Sequence, residues 1–140
     1  VWLADIDGVT PTAVEEIVRM ASPVTHFRRT VTTDGVRLGD HEFAAGEKVV
    51  LWYNSANRDE AVFEDPDRFD VRRDPNPHVG FGGPGPHFCL GAHLARREVG
   101  VMFRHLLVRL PDIHSTAQPD LLRTNFVNGI KHLPCAWTPA

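Results

Sequence analysis

The chain has 140 residues, 42% of them hydrophobic, which is enough for one domain with a single core. Its formal net charge of −3 lacks the basic excess of nucleic-acid-binding proteins, so we expect no nucleic-acid partner. Two cysteines, Cys89 and Cys135, cannot make a disulfide framework, and no apolar run approaches the ~20 residues needed to span a bilayer. We therefore expect a cytoplasmic protein with no membrane span in this segment.

Residues 1–22 are predicted to be helical. Thr10 is a candidate N-cap with Pro11 at the first helical position, and Pro23 predicts that the helix ends by Ala21. Glu16 and Arg19 lie three residues apart and share one helical face. This spacing alone favours an ordinary, solvated surface ion pair.

Residues 25–53 change to a strand pattern. Residues 28–33 are rich in β-branched side chains, a turn is predicted at Asp34 and Gly35, and residues 48–53 form the strongest apolar run. We expect one small sheet that is not a domain of its own. Alternation along a strand places Arg28 and Arg29 on opposite faces.

Residues 54–79 are predicted to form a short helical piece and then a long meander rich in proline and aspartate. A loop of this length inside a compact domain usually signals function or disorder. Phe63 and Phe69 can anchor it, so we expect order here.

The stretch GFGGPGPHFCLG, residues 80–91, is the most distinctive part of the chain. Its glycines and prolines predict tight turns with exposed backbone N–H groups, and it places Cys89 at the start of the next helix. A helix N-terminus carries roughly half a positive charge, which favours a sulfur there as thiolate, the metal-ligating form of cysteine. Gly85 and Gly91 leave room for a flat ligand, and His87 can donate to an anion at its edge.

The next segment, AHLARREVGVMFRHLLVRL, is predicted to be an amphipathic helix that Pro111 ends. Residues 121–137 are predicted to be irregular strand with a turn at Asn128 and Gly129, and Cys135 to be a small buried hydrophobe. The helix's apolar positions are expected to face the core, with its arginines largely opposite: Leu90, Leu94, Val101, Met102, Leu106 and Leu110 against Arg96, Arg97, Arg104 and Arg109.

Three motifs occur in the order of one known family: EIVR (residues 16–19), EDPDRF (64–69) and FGGPGPHFCLG (81–91). The last resembles the haem-binding loop of the cytochrome P-450 monooxygenases, the first their ExxR helix and the second their later arginine-bearing loop. The resemblance covers about residues 12–138 and implies an α+β fold, mainly α, equivalent to the C-terminal third of the cytochrome P-450 fold. We expect residues 1–140 to be a single haem-binding segment of a catalytic domain whose N-terminal part is absent.

The resemblance also implies roles for single residues. Cys89 takes the axial position on the haem iron, and His87 and Arg29 take the propionate-binding positions. Phe81 stands one residue before the position that the common family pattern gives to an aromatic side chain, so the loop here is longer. This longer loop resembles that of bacterial branches acting on sterols and methyl-branched lipids. The remaining implied residues are Gly82, Gly85 and Gly91 at the cofactor, Arg68 with Glu16 and Arg19 in a buried network behind it, and Val24, Thr25, Phe126 and Val127 at the substrate pocket.

A simple core-filling role stays open for Phe126 and Val127. The implied activity is a haem-thiolate monooxygenase that uses haem, dioxygen and electrons from a ferredoxin-type donor to insert one oxygen atom into a C–H bond of an apolar substrate. A sterol or branched-chain lipid is the candidate substrate. This chain alone is expected to be inactive, because the family's oxygen-activating helix lies before the matched region. The alternative is an incomplete or nonenzymatic haem-binding module.

The same loop allows two other kinds of site. A glycine-rich loop before a helix can cradle phosphate, but this one lacks the third glycine of GxGxxG, the P-loop lysine and a βαβ context. A zinc site could use His78, His87, Cys89 and His93, although their HxCxxxH spacing does not recur elsewhere. Zinc without haem in the purified protein would favour that alternative.

Overall fold

The structure is a computed structural model and describes residues 1–138. Within them the strands pair as four separate two-stranded antiparallel sheets, β1–β4, β2–β3, β5–β8 and β6–β7. This confirms the α+β class, but the single sheet predicted for residues 25–53 is two sheets. The elements are a 3-10 helix (Trp2–Ala4), α1 (Ile6–Ala21), β1 (His26–Thr30), β2 (Val36–Leu38), β3 (His41–Phe43), β4 (Lys48–Trp52), α2 (Tyr53–Ala56), α3 (Ala92–Arg109), β5 (His114–Ser115), β6 (Asp120–Leu121), β7 (Ile130–His132) and β8 (Cys135–Ala136).

Helix α1 begins at Ile6, before the candidate N-cap at Thr10. Its N-cap is Asp5, whose carboxylate accepts a hydrogen bond from the Gly8 N–H at 2.9 Å, so the predicted cap at Thr10 is wrong. Pro11 lies inside the helix and removes one backbone hydrogen bond. Trp2 contacts this turn of the helix from outside, and its Nε1 donates to Thr10 Oγ1 at 3.0 Å. The predicted end at Ala21 is confirmed, with Ser22 in the left-handed region at φ 36°.

Helix α3 packs on α1 along a seam of small and aromatic residues. Ala92 is fully buried, and Gly100 lies opposite Thr10 and Val14. At the far end the Phe103 ring stacks on Trp2 with centroids 5.2 Å apart. The small residues let the two backbones approach closely, which sets α3 and the loop before it against α1.

The predicted buried face of α3 is partly wrong. Leu90, Leu94, Val101 and Met102 are exposed in the described part of the chain. The helix is apolar on more than one side, and the seam through Gly100 contacts α1 because it allows the closer approach. No helix among the described residues is long and apolar enough to cross a membrane.

Strand β1 is held against β4 in a register that pairs Arg29 with Val49. Turns at Gly35 and Gly46 have φ of 77° and 89°, a region that suits glycine. Near the other end of the chain Cys135 is exposed, not buried as predicted, because it lies on the two-residue strand β8, which pairs only with β5.

Candidate functional site

The loop of residues 80–91 folds back on itself and presents Cys89. Gly82 turns the chain at φ 90° and Gly85 at φ 133°. The Cys89 N–H donates to the Phe81 carbonyl at 2.9 Å, and the Ala92 N–H donates to the Cys89 carbonyl at 3.2 Å. Cys89 therefore leads directly into α3 with its free thiol exposed.

A cavity of about 560 Å³ lies beside this loop. Arg29 reaches it from β1 and His87 from the loop, whereas Arg28 is not among its lining residues. The alternation predicted for the strand therefore separates the two arginines. The remaining wall is largely apolar and comes from Val50, Leu51, Trp52, Tyr53, Ala56, Val79, Gly82, Gly83, Pro84, Gly85 and Pro86.

The other residues predicted at the cofactor fall into two groups. Gly82 and Gly85 line the cavity, and a Cβ built at Gly85 meets no atom within 4 Å, so space is open in front of the backbone. Gly91 is the N-cap of α3, and a Cβ there would lie 4.0 Å from Cys89 Sγ. Phe81 does not line the cavity; its ring packs under the Arg96 guanidinium, 4.5 Å from Cζ to the ring centroid.

These residues fit a haem group chemically. A macrocycle with two carboxylates would need apolar walls, hydrogen-bond donors for the carboxylates and a donor to its metal. The cavity offers the walls together with Arg29 and His87, and the exposed Cys89 thiol lies on the same loop. Among residues 1–138 no group of three or more His, Cys, Asp or Glu side chains could hold a metal ion, so the zinc alternative lacks a ligand cluster.

A fully buried ion pair lies behind the loop. Both side chains, Glu16 and Arg19, are 0% exposed, with Arg19 Nε 2.7 Å from Glu16 Oε2 and Nη2 2.8 Å from Oε1. The carboxylate also accepts hydrogen bonds from the Asp70 N–H at 2.9 Å and Asn76 Nδ2 at 3.0 Å, and Arg73 Nε lies 3.2 Å from it. The solvated pair that the spacing alone favoured is therefore not what forms.

All five N–H donors of Arg19 find acceptors. Besides the two bonds to Glu16, Nη1 donates to the carbonyls of Asn57 at 2.8 Å and Pro66 at 2.7 Å, and Nη2 donates to the Arg68 carbonyl at 3.2 Å. The guanidinium thus ties helix α1 to two points of the meander. An unpaired charge at this depth would cost several kcal/mol, so each contact matters.

The prediction that the Arg68 side chain joins this network does not hold. The Arg68 side chain is 68% exposed, and its Nη1 lies 4.0 Å from Asp65 Oδ2. Arg68 contributes only its backbone carbonyl to the network. Arg73 supplies the second guanidinium instead. The physical reason is the course of the meander, which turns the Arg68 side chain outward. The buried Phe63 ring lies beside the guanidinium groups of both Arg19 and Arg73 and supports them.

The electrostatics of Glu16 follow from these partners. Burial alone would raise the pKa of this carboxyl, but the Arg19 hydrogen bonds, the Asp70 N–H and the charges of Arg19 and Arg73 outweigh it. They lower the pKa from 4.5 to about 2. The carboxylate is therefore ionised throughout the neutral range and acts as a structural anion.

Asn57 connects this network to the sulfur loop. It is fully buried, donates from Nδ2 to Ser22 Oγ at 2.8 Å, and accepts from the Val79 N–H at 2.8 Å. Ser22 in turn donates to the Arg19 carbonyl at 2.7 Å. The end of α1 and the start of the loop are thus fixed to the same amide side chain.

The four residues predicted at the substrate pocket come together. Val24 and Val127 form an isolated antiparallel bridge, and the Thr25 N–H donates to the Phe126 carbonyl at 2.9 Å. The Phe126 ring lies edge-on to Phe27 with centroids 5.6 Å apart. Residues 24–25 and residues 126–127, which are distant in sequence, therefore lie together in one surface.

Known proteins resemble this chain along most of its length. The family model described as cytochrome P450 matches residues 9–132. This chain belongs to the cytochrome P450 family. It is 57% identical over 137 residues to a methyl-branched lipid omega-hydroxylase of Mycobacterium bovis, covering 98% of this chain and 32% of the relative.

Two further cytochrome P450 comparisons point the same way. The chain is 47% identical over 129 residues to a steroid C26-monooxygenase of Mycolicibacterium smegmatis, covering 92% of this chain and 30% of that protein. A solved Mycobacterium marinum cytochrome P450 in complex with pseudoionone superposes with a TM-score of 0.93 at 53% identity, covering 97% of this chain and 32% of that one. The chain spans about a third of the length of these relatives.

Sequence reasoning missed several residues of this cytochrome P450 segment. Arg73, Asn57 and Asn76 complete the Glu16 network, and their backbones lie in the irregular region where no periodicity marks a buried face. The sequence carried one signal that could have identified Arg73. Glu16 and Arg19, once buried, need a further buried partner, and Arg73 lies in the same meander as Arg68. Glu15 and Arg96 were also missed as a pair, since they lie on different helices.

Proposed function

We propose that this chain is the haem-binding segment of a cytochrome P450 monooxygenase, with Cys89 as the axial ligand of the iron. The observation that carries the proposal is the convergence of Arg29 and His87 on one cavity beside the loop that presents Cys89. Hydrogen-bond donors for its carboxylates and a thiol on the adjoining loop are what a dicarboxylate macrocycle such as haem would require.

Each of these residues has a distinct task. With haem bound, the Cys89 thiolate would donate electron density to the metal, and the hydrogen bond from its backbone N–H to the Phe81 carbonyl holds Cys89 in place. The Arg29 guanidinium matches a carboxylate with its planar fork, while the His87 imidazole donates one hydrogen bond. The apolar wall around Leu51 and Trp52 keeps water from the buried edge. Haem, when bound, supplies the activation of dioxygen.

The proposed substrate is an apolar molecule with a branched hydrocarbon end, such as a branched-chain lipid or a sterol side chain. The names of the relatives, which describe a methyl-branched lipid hydroxylase and a steroid monooxygenase, support this class. We assign Val24, Thr25, Phe126 and Val127 to the pocket wall, because the bridge between the two segments keeps them in one surface. Dioxygen is the co-substrate, and a ferredoxin-type protein supplies the electrons.

Activity is proposed for a full-length protein in which residues 1–140 form one segment of a single catalytic domain. The exposed Leu94, Val101 and Met102 of α3 would pack on the rest of such a domain. Residues 1–140 expressed alone with haemin are expected to yield no oxidation product.

The test uses a full-length protein carrying this chain, reconstituted with ferredoxin, ferredoxin reductase and isotopically labelled dioxygen. We expect a methyl-branched fatty acid or a sterol to gain one labelled oxygen atom, and the Cys89→Ser variant to lose this product. The Cys135→Ser variant is the matched control, because that thiol is also exposed but lies on β8, outside the loop. Haem binding without any product would favour a nonenzymatic haem module and overturn the proposal.

A further inference from the structure

A second charged cluster, built on Glu15, is separate from the Glu16 network. Arg96 Nε lies 2.6 Å from Glu15 Oε1 and Nη2 lies 2.9 Å from Oε2, a two-pronged contact between α3 and α1. His78 Nε2 lies 2.9 Å from the same Oε2, and its side chain is almost fully buried. One carboxylate therefore binds a guanidinium and an imidazole from opposite ends of the sulfur loop.

The cluster encloses the Phe81 ring. Arg96 Cζ lies 4.5 Å from the ring centroid, and the His78 ring centroid lies 5.9 Å from it. Phe81 also accepts the Cys89 N–H through its backbone carbonyl at 2.9 Å. The side chain of Phe81 is thus fixed by the cluster while its main chain is bonded to the residue that bears the sulfur.

The tautomer of His78 follows from its contacts. The Gly80 N–H donates to Nδ1 at 3.1 Å, so Nδ1 is an acceptor and Nε2 carries the proton that points to Glu15. A Cβ at Gly80 would lie 2.6 Å from Val18 Cγ1, so the backbone between His78 and Phe81 runs directly against α1.

We propose that Arg96 is a positioning residue for the sulfur loop: anchored by Glu15, it clamps the Phe81 ring and so holds the backbone hydrogen bond between Phe81 and Cys89. The inference rests on the proposed role of Cys89 as the haem ligand. It places the partly buried Arg96 side chain against the Phe81 ring of the loop.

The charge of Arg96 suits this position. The Glu15 hydrogen bonds raise the pKa of the guanidinium, burial opposes them, and the negative charge of Glu15 adds to the rise. The side chain therefore stays cationic, and its flat face can stack on an aromatic ring while its edge binds a carboxylate. A lysine at this position would keep the charge but lose the stack and the two-pronged contact.

Hydrogen exchange of the full-length, haem-loaded protein tests the clamp directly. Peptides covering residues 80–91 should exchange faster in Arg96→Ala, by about tenfold at the Cys89 amide, because the clamp no longer opposes local opening. Arg96→Lys should resemble Arg96→Ala, whereas Arg97→Ala, one residue along and exposed, should match the wild type. Phe81→Leu, which keeps the carbonyl but removes the ring, should repeat the effect if Arg96→Ala fails to fold.

The carbon monoxide complex of the reduced protein gives the second measurement. Wild type and Arg97→Ala should show the red-shifted Soret band of thiolate ligation, and Arg96→Ala should lose it several-fold faster on standing. A wild-type band with Arg96→Ala indistinguishable from Arg97→Ala in both experiments would overturn the clamp alone. Absence of the band in the wild type would overturn the Cys89 ligand role and this inference with it. An Arg96→Lys variant with wild-type exchange would also contradict it, because charge alone would then suffice.

Discussion

Arg73 places its Nε 3.2 Å from the Glu16 carboxylate, and only 11% of the Arg73 side chain is exposed. The same guanidinium donates from Nη1 to the Glu64 carbonyl at 2.7 Å and from Nη2 to the Arg68 carbonyl at 3.2 Å. Arg73 therefore both neutralises Glu16 and closes the meander on itself, a double role that Arg68 cannot perform with its exposed side chain.

Removing Arg73 is expected to destabilise the fold far more than removing Arg68. Arg73→Ala leaves part of a buried anion uncompensated, which typically costs ~3–5 kcal/mol. Arg68→Ala removes an exposed side chain and keeps the carbonyl that Arg19 uses, so it should cost under ~1 kcal/mol. Urea denaturation of the full-length variants measures both. Equal losses, or a larger loss for Arg68→Ala, would contradict this assignment.

The low pKa of Glu16 predicts acid sensitivity. A carboxylate whose folded-state pKa lies below its ordinary value stabilises the fold fully above pH 4.5, and that contribution is lost as the pH falls toward about 2. The contribution is roughly 3 kcal/mol. We expect the free energy of unfolding to drop between about pH 5 and about pH 2.

Glu16→Gln is the matched variant for this experiment. It should be less stable at neutral pH and should show a flatter pH dependence, although Glu15, whose pKa is also lowered, still contributes in the same direction. An unchanged slope in Glu16→Gln would show that other carboxylates control the acid transition.

Gly80 and Gly100 each lie against a helix, and replacing them by alanine is expected to change the stability of the fold in opposite directions. A methyl group at Gly80 would lie 2.6 Å from Val18 Cγ1 and 3.2 Å from the Val18 carbonyl oxygen, so Gly80→Ala should cost ~1–3 kcal/mol. At Gly100 the nearest atoms are 3.5 Å away on Thr10, and alanine favours a helix, so Gly100→Ala should be neutral or stabilise by up to ~1 kcal/mol. Thermal unfolding of both variants decides; the same sign for both would contradict the packing described.

Neighbouring arginines on β1 test the propionate assignment. Arg29→Ala should speed the transfer of haem to apomyoglobin by about tenfold or more, because a charge-assisted hydrogen bond is lost. Arg28→Ala should leave the transfer rate near that of the wild type, since Arg28 does not line the cavity. Equal rates in the two variants would remove Arg29 from the cofactor set.

The parts of the site that were predictable are local in sequence. Cys89, His87 and the glycines lie within one short loop, where turn chemistry and a helix start decide the shape. The family resemblance implied Arg29, and strand alternation separated it from Arg28; β1 has the extended geometry on which that separation depends. These features need no knowledge of distant contacts.

What the sequence could not determine depends on contacts between distant segments. Whether Arg68 or Arg73 points inward depends on the direction in which an irregular meander turns. Arg96 faces Glu15 because Gly100 lets α3 approach α1 on that side. In each case tertiary packing overrode a local preference that was reasonable by itself.

The most direct test of the account is the carbon monoxide spectrum of the reduced full-length protein with each cysteine replaced in turn. The account predicts the red-shifted Soret band of thiolate ligation in the wild type and in Cys135→Ser, and its loss in Cys89→His. A band that persists in Cys89→His and disappears in Cys135→Ser would contradict it.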